Sequence, residues 1–284
     1  MTSFEDVRRF VARWPAIVVL AAVIGGAIAW RALHPGTHPE RFGVKVVHFA
    51  VHSKLVGRTL TQVGVEPPPL PGGARRPLLV FLHGRGGSPD GMLSDQLYAA
   101  LRAAGDDAPD VVAADGDDAS YFHDRRTGKW GTYVVSEVIP QAARVLHADP
   151  RRVAIGGVSM GGFGALDIAR LHPRRFCAVG GHSAAMWETG GQTPEGAFDD
   201  AEDFARHDVI GSARRSNPYG PTPVWLDVGD GDPFLHADTL FASELRRRGA
   251  DVTFHVWPGG HGTSYWWSHI DEYVRFYASA LARC

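Results

Sequence analysis

Hydrophobic and polar residues follow two different periods along this chain. Short apolar or alternating runs predict strands at 44–52, 55–65, 77–82, 111–114, 152–158, 176–180, 224–228 and 252–256. Longer segments with apolar residues at helical spacing predict helices at 91–104, 130–146, 163–171, 235–248 and 265–282. The first two strands are expected to pair as an antiparallel hairpin. Because strands and helices alternate from there on, the pattern predicts an α/β fold, with a mostly parallel central sheet flanked by helices on both faces.

The N-terminal segment has a different pattern, in which arginines flank the uncharged residues 14–30 on both sides. This length suits either a signal-peptide core or a short membrane span. Ala27-Ile28-Ala29 is typical of signal-peptide cleavage, whereas Trp14 and Trp30 at the two ends favour an anchor. Both readings predict export, with the folded domain secreted or held at the membrane through this segment if it is uncleaved. The expected organisation is a signal peptide or N-terminal membrane anchor at 1–31, a linker at 32–43 and one domain at 44–284.

Composition narrows the function classes only slightly. A net charge of −2 over 284 residues gives no electrostatic basis for a nucleic-acid partner. The two cysteines show no metal-site spacing, and no disulfide framework follows from them. Cys177 lies in an apolar run, so we expect a free thiol in the core, and no metal is predicted.

The segment Gly157-Val158-Ser159-Met160-Gly161 joins a predicted strand to a predicted helix. This is the G-x-S-x-G pattern of a nucleophile elbow, a sharp strand-to-helix turn that exposes a serine at its apex. The glycines on both sides are expected because a Cβ there would collide with the neighbouring backbone. Ser159 is therefore the candidate nucleophile.

A serine nucleophile needs a base and a carboxylate that orients the base, in the chain order Ser, Asp or Glu, His. After the strand at 224–228 come two competing acids, of which Asp232 is preferred because Gly229 and Gly231 provide a turn before it; Asp230 is the alternative. His261 follows the last strand on a glycine-rich loop and is the candidate base.

An oxyanion hole needs two N–H donors directed at the developing negative charge. One is expected from the backbone of Met160, directly after the serine. The other is expected from the loop after the strand at 77–82, with the backbone N–H of Arg85 preferred and that of Gly86 second. His83 in the same loop is expected to shape it through hydrogen bonds.

Four motifs together carry a family resemblance: His83-Gly84-x-Gly86-Gly87, the elbow extended to Ala165, Gly229-x-x-Asp232 and Gly260-His261. From about residue 44 to its end, the chain resembles the esterase D/antigen 85 branch of the α/β-hydrolases. The resemblance implies the α/β-hydrolase fold, a Ser159–Asp232–His261 triad, no cofactor and acyl chemistry on esters. The predicted function is a serine esterase acting on a small-molecule or cell-envelope ester. An acyltransferase that passes the acyl group to a sugar and a non-catalytic envelope protein on the same fold are the alternatives.

Aromatic residues near the predicted strand ends suggest where an acyl or aryl group would bind. The candidate substrate-binding residues are Tyr121, Trp130 and Trp187, and the wider set of pocket candidates is Arg85, Phe122, His182, Met186 and Phe234. The polar, glycine-containing segment at 188–221 is long enough to form a cap over them.

Overall fold

The computed structural model describes residues 37–284. The predicted signal peptide or anchor at 1–31 lies outside these residues, as do residues 32–36 of the predicted linker. In the described part of the chain, no helix has the length and apolar character needed to span a membrane. The strands are β1 Lys45–Ser53, β2 Arg58–Glu66, β3 Pro77–Leu82, β4 Asp110–Ala114, β5 Asp124–Arg125, β6 Gly128–Lys129, β7 Asp149–Val158, β8 Val179–His182, β9 Val224–Gly229 and β10 Val252–Trp257.

Eight of these strands form one sheet in the order β1-β2-β4-β3-β7-β8-β9-β10. The hairpin β1–β2 is antiparallel, as predicted, and β2 is also antiparallel to β4. From β4 to β10 every neighbouring pair is parallel. The two remaining strands, β5 and β6, form a small separate hairpin that the sequence pattern did not predict.

The longer helices cover both faces of the sheet, which is the predicted layering. They are α1 Asp95–Ala104, α2 spanning 130–145, α3 Met160–Leu171, α4 Ala201–His207, α5 Val209–Arg215, α6 Leu235–Arg247, α7 Thr263–Ser268 and α8 Ile270–Ala282. Buried side chains of α1, α7 and α8 pack with one face of the sheet. Buried side chains of α2, α3 and α6 pack with the other.

Local chemistry explains several of these boundaries. Ser94 caps α1 by accepting a hydrogen bond from the Leu97 N–H, so the helix begins four residues later than the apolar spacing suggested. In α2 a π-helical turn, Val134–Val138, stands immediately before the segment that contains Pro140. Proline cannot donate a backbone hydrogen bond, and the wider turn accommodates this defect without ending the helix.

The segment at 188–215, which we call the cap, is fastened to the domain by one buried ion pair and by buried hydrogen bonds. The guanidinium of Arg125 donates to Asp199 and to three backbone carbonyls. His123 pairs with Asp203 at 3.0 Å, and His207 pairs with Asp167 of α3 at 2.7 Å. Burial lowers the pKa of His123, so its ring is neutral and its contact with Asp203 is a hydrogen bond. The Arg125–Asp199 ion pair is costly to separate, and together these contacts hold the cap beside α3.

The cysteine prediction was wrong. Cys177, which lies two residues before the strand β8, forms a disulfide with Cys284 after α8. The two residues are 107 positions apart in sequence, and spacing alone gave no indication that the end of α8 lies next to the start of β8. The expected free thiol is therefore a cross-link between the sheet and the C-terminal helix.

Candidate active site

Ser159 occupies the apex between β7 and α3, with a backbone φ of +53°. A non-glycine residue in this left-handed region is strained, and such strain is typical of functional turns. At this turn the backbone of β3 lies very close to the two glycines that flank Ser159. A Cβ on Gly161 would lie 2.2 Å from the Leu82 carbonyl oxygen, and one on Gly157 would lie 2.6 Å from the same atom.

The other two candidate residues converge on this serine. The Nε2 atom of His261 lies 2.8 Å from the Ser159 hydroxyl, and its Nδ1 lies 2.8 Å from the Asp232 carboxylate. In this arrangement Nδ1 can donate to Asp232 while Nε2 accepts the proton of the serine hydroxyl. The Asp232 side chain is fully buried, whereas the His261 side chain is 24% exposed. The hydroxyl, imidazole and carboxylate thus form one continuous hydrogen-bonded chain.

Asp232 remains an ionised acceptor despite its burial. Burial by itself raises the pKa of its carboxyl group, but hydrogen bonds from His261 and from the Phe234 N–H outweigh that effect. The pKa of Asp232 therefore lies below its ordinary value. A carboxylate in this state can orient the imidazole and stabilise a positive charge that develops on it.

Two backbone N–H groups beside Ser159 are available to an oxyanion. Among the described residues, neither the N–H of Arg85 nor that of Met160 donates to a protein acceptor. The N–H of Gly86 donates to the Asp118 carbonyl at 2.8 Å, so this alternative donor is already occupied. Met160 begins α3, where the N–H groups also carry the positive end of the helix dipole.

His83 shapes the donor loop, as the sequence predicted. Its Nδ1 donates to the Gly84 carbonyl, and its Nε2 accepts from the Gly116 N–H at 3.0 Å. Burial lowers the pKa of His83, which keeps the ring neutral and able to serve both bonds.

A cleft of about 910 Å³ opens above the serine. Tyr121, Trp187, Met186 and Phe234 line it, so these aromatic and apolar candidates are brought together as predicted. The Arg85 side chain also lines the cleft. Burial raises the pKa of Tyr121, and the nearby Arg85 guanidinium opposes that rise.

Three pocket candidates lie elsewhere. The ring of Trp130 packs in the core next to Tyr133, with the Arg58 guanidinium over its face, because the first turn of α2 is directed at the sheet. Phe122 is likewise a core residue. His182 is fully buried and bonded to an aspartate in the sheet. The prediction of Trp130 as a substrate-binding residue is therefore corrected.

Residues that the sequence did not single out complete the cleft. Met92 and Trp266 add apolar surface, and Glu188, Gln192 and His236 add polar groups at the rim. They come from separate loops and helices and share no motif. In the described part of the chain, no cluster of three or more His, Cys, Asp or Glu side chains is arranged to hold a metal ion.

Comparisons with known proteins identify related sequences. A family model described as putative esterase matches residues 53–277. The diacylglycerol acyltransferase/mycolyltransferase Ag85A of Mycobacterium leprae (strain TN) is 27% identical over 251 residues, which cover 84% of this chain and 71% of that protein.

Solved structures give the same fold. A ferulic acid esterase matches with a TM-score of 0.71 at 22% identity, over 84% of this chain and 99% of the other. An S-formylglutathione hydrolase from Agrobacterium tumefaciens matches with a TM-score of 0.73 at 20% identity, over 84% of this chain and 96% of the other. These matches, together with the parallel sheet and its helix layers, confirm the predicted α/β-hydrolase fold.

Proposed function

We propose a mechanism from one premise: this chain belongs to the putative esterase family and is a serine hydrolase of the α/β-hydrolase fold. In this mechanism Ser159 is the nucleophile, His261 the general base and Asp232 the residue that orients the base. The observation that carries the proposal is the continuous chain from the Ser159 hydroxyl through both nitrogens of His261 to Asp232, with each contact at 2.8 Å.

The acylation step follows from this geometry. As the Ser159 oxygen bonds to the ester carbonyl carbon, Nε2 of His261 takes the hydroxyl proton. The carbonyl oxygen becomes negative and accepts hydrogen bonds from the N–H groups of Arg85 and Met160. When the carbon–oxygen bond to the alcohol breaks, His261 returns the proton to the leaving oxygen, and the acyl group remains on Ser159.

The second half of the reaction decides between hydrolysis and transfer. Water activated by His261 would release a carboxylic acid, and an acceptor hydroxyl in the same position would form a new ester. Hydrolysis of a carboxylic ester is the favoured function. Transfer to a sugar is the second candidate, because a curated relative is an acyltransferase and because the open cleft has room beside the serine for an acceptor.

The nucleophile is tested by replacing Ser159 with alanine and measuring hydrolysis of 4-nitrophenyl butyrate. We expect kcat to fall at least about 10⁴-fold, as when the nucleophile is removed from other serine enzymes. Ser279→Ala, an exposed serine on α8, is the matched control and should keep wild-type turnover. Equal turnover by Ser159→Ala and wild type would exclude Ser159 as the nucleophile.

Transfer is tested by supplying the acyl-enzyme with sugar acceptors. Wild-type protein is incubated with the nitrophenyl ester in the presence of increasing glucose or sucrose, and the products are separated by mass spectrometry. An acylated sugar that grows with acceptor concentration supports transfer. If free acid remains the sole product at every concentration, the transferase candidate fails.

We also propose that the catalytic domain acts outside the cytoplasm, secreted or held at the membrane by its N-terminal segment. The apolar, arginine-flanked residues 14–30 support export, and the Cys177–Cys284 disulfide is of the kind that persists in oxidising compartments. N-terminal sequencing of the protein recovered from membrane and culture fractions distinguishes a cleaved signal from a retained anchor. Recovery of all of it, uncleaved, from the cytoplasm would contradict the proposal.

A further inference from the structure

A buried carboxylate in the sheet behind the active site collects four hydrogen bonds. Asp227 of β9 is fully buried, and its Oδ1 accepts from His182 Nδ1 at 2.6 Å and from Trp225 Nε1 at 2.8 Å. Its Oδ2 accepts from the hydroxyls of Tyr273 at 2.7 Å and Tyr265 at 3.0 Å. Four donors offset the cost of burying this carboxylate, so the network is complete around Asp227.

One of these donors belongs to the segment that carries the catalytic histidine. Tyr265 lies four residues after His261, in the first turn of α7, and its N–H donates to the Gly262 carbonyl. Its ring lies directly against the histidine loop, since a Cβ on Gly259 would be 2.8 Å from the ring. The hydroxyl end of Tyr265 is thus fixed to β9, while its ring supports the loop at 258–262.

The same loop is tied to the acid loop after β9. The N–H of Gly231 donates to the Gly259 carbonyl at 2.8 Å, and the Gly259 N–H donates to the Asp230 carboxylate at 3.0 Å. A shift of residue 259 would therefore alter the separation between His261 and Asp232.

Asp227 is also linked to the backbone of the nucleophile, through His182. His182, which Asp227 holds by its side chain, accepts the Ser159 N–H at its backbone carbonyl at 3.0 Å. The N–H of Ser183 donates to the Asp227 carbonyl at 2.7 Å. Asp227 therefore bonds to His182, which bonds to the backbone of Ser159, and to Tyr265, which packs on the histidine loop.

We propose that Tyr265 and Asp227 are positioning residues: the Tyr265–Asp227 hydrogen bond sets the place of the His261 loop relative to Ser159. This inference rests on the proposed triad. Burial and the nearby Asp227 raise the pKa of both tyrosines, so each phenol stays protonated and serves as a donor. Two phenols share one acceptor oxygen, but Tyr265 alone of the two packs on the histidine loop; Tyr273 lies on α8, where its ring stacks on His182.

The chain therefore provides a matched pair of variants, Tyr265→Phe and Tyr273→Phe. Each removes one hydroxyl and one hydrogen bond to Asp227 and keeps the ring, so both should lower Tm to a similar extent. We expect Tyr265→Phe to lower kcat for 4-nitrophenyl butyrate about tenfold or more with KM unchanged, because small misplacements of a catalytic group are costly. Tyr273→Phe should keep kcat within about twofold. The rate of covalent labelling of Ser159 by a fluorophosphonate should follow kcat.

Equal kcat in the two variants, or wild-type kcat in Tyr265→Phe despite a lower Tm, would show that the network only stabilises the fold and would overturn the proposal. Asp227→Asn is a second route if Tyr265→Phe does not fold: the amide keeps the size of the side chain but loses acceptor capacity, and wild-type kcat in this variant would also overturn the proposal. The kcat values are compared with that of Ser159→Ala, measured under the same conditions. If that variant is as active as wild type, the proposed triad has failed, which is a separate result from a failure of positioning.

Discussion

At the residue scale, the two acids that the sequence left in competition have different partners. Asp232 contacts His261, and Asp230 accepts the Gly259 N–H in the histidine loop. Both sit in the turn after β9, where the chain order of a triad permits either. The separation of their roles depends on the direction of each side chain, which the sequence pattern does not encode.

We predict that Asp232→Asn lowers kcat by about 10⁴-fold, because an amide facing Nδ1 favours the wrong imidazole tautomer, as in other serine enzymes. Asp230→Asn is the control and should cost no more than a few-fold, since its amide oxygen can still accept the Gly259 N–H. The measurement is kcat for a nitrophenyl ester at pH 7.5. A larger loss from Asp230→Asn would reverse the assignment.

The aromatic candidates show why single residues are harder to place than motifs. Tyr121 and Trp187 line the cleft, whereas Trp130 packs in the core, although all three follow predicted strands or begin a helix. An aromatic ring near a strand end can point toward the cleft or toward the sheet. The choice depends on the local helix direction, which for α2 turns the first ring inward.

At the element scale, the elbow is specified by backbone contact. The Leu82 carbonyl of β3 approaches the positions where Gly157 and Gly161 would carry side chains, and β3 leads into the loop that holds Arg85. The serine turn and the oxyanion loop are therefore packed against each other.

We predict that Gly161→Ala destabilises the protein by about 3 kcal/mol or more and lowers kcat together with stability, because the added methyl group would overlap rigid backbone atoms of Leu82 and His83. Gly191→Ala, where nothing lies within 4 Å of the added carbon, is the matched control. Urea denaturation gives the free energy of unfolding, and ester hydrolysis gives kcat. Similar stability for the two variants would contradict the close packing of the elbow.

Most elements agree with the hydrophobic pattern, and the departures have physical causes. The strand β8 is observed at Val179–His182, later than the predicted 176–180, because its register is set by pairing with β7 and β9. The predicted helix at 265–282 is divided at His269 into α7 and α8. The cap helices α4 and α5 are only seven residues long and begin at aspartate caps, so they gave no clear period.

At the scale of the whole molecule, the disulfide joins the C-terminal residue to the start of a central strand. It closes a loop of 107 residues that contains the cap, the acid loop and the histidine loop. A cross-link of this span restricts the unfolded chain much more than it restricts the folded domain.

We predict that the double variant Cys177→Ser/Cys284→Ser unfolds with a free energy about 2–5 kcal/mol lower than wild type, which corresponds to a Tm lower by roughly 5–15 °C. Turnover at 25 °C should remain close to wild type, because Cys177 precedes β8 and Ser159 lies at the opposite ends of the parallel strands. Differential scanning fluorimetry with and without dithiothreitol measures the effect. Reductant should lower the wild-type Tm to that of the variant and leave the variant unchanged; a wild-type Tm insensitive to reductant would refute the cross-link.

Features that are local in the chain could be predicted from its residues alone. The alternation of strands and helices predicted the layered parallel sheet, and the glycine-flanked Ser159 predicted the elbow, because both follow from side-chain period and backbone sterics within a few residues. The order Ser159, Asp232, His261 restricted the candidate triad to a few positions.

Contacts between side chains that are distant in sequence depend on the folded domain. The Cys177–Cys284 bond, the Arg125–Asp199 ion pair of the cap and three of the four hydrogen bonds to Asp227 join residues tens of positions apart. The inward ring of Trp130 likewise depends on the packed core. These contacts depend on how the helices that connect the strands pack on the sheet, and no local sequence pattern predicts that packing. Short motifs thus predict which residues form the candidate site. The relative positions of those residues depend on contacts that exist only in the folded domain.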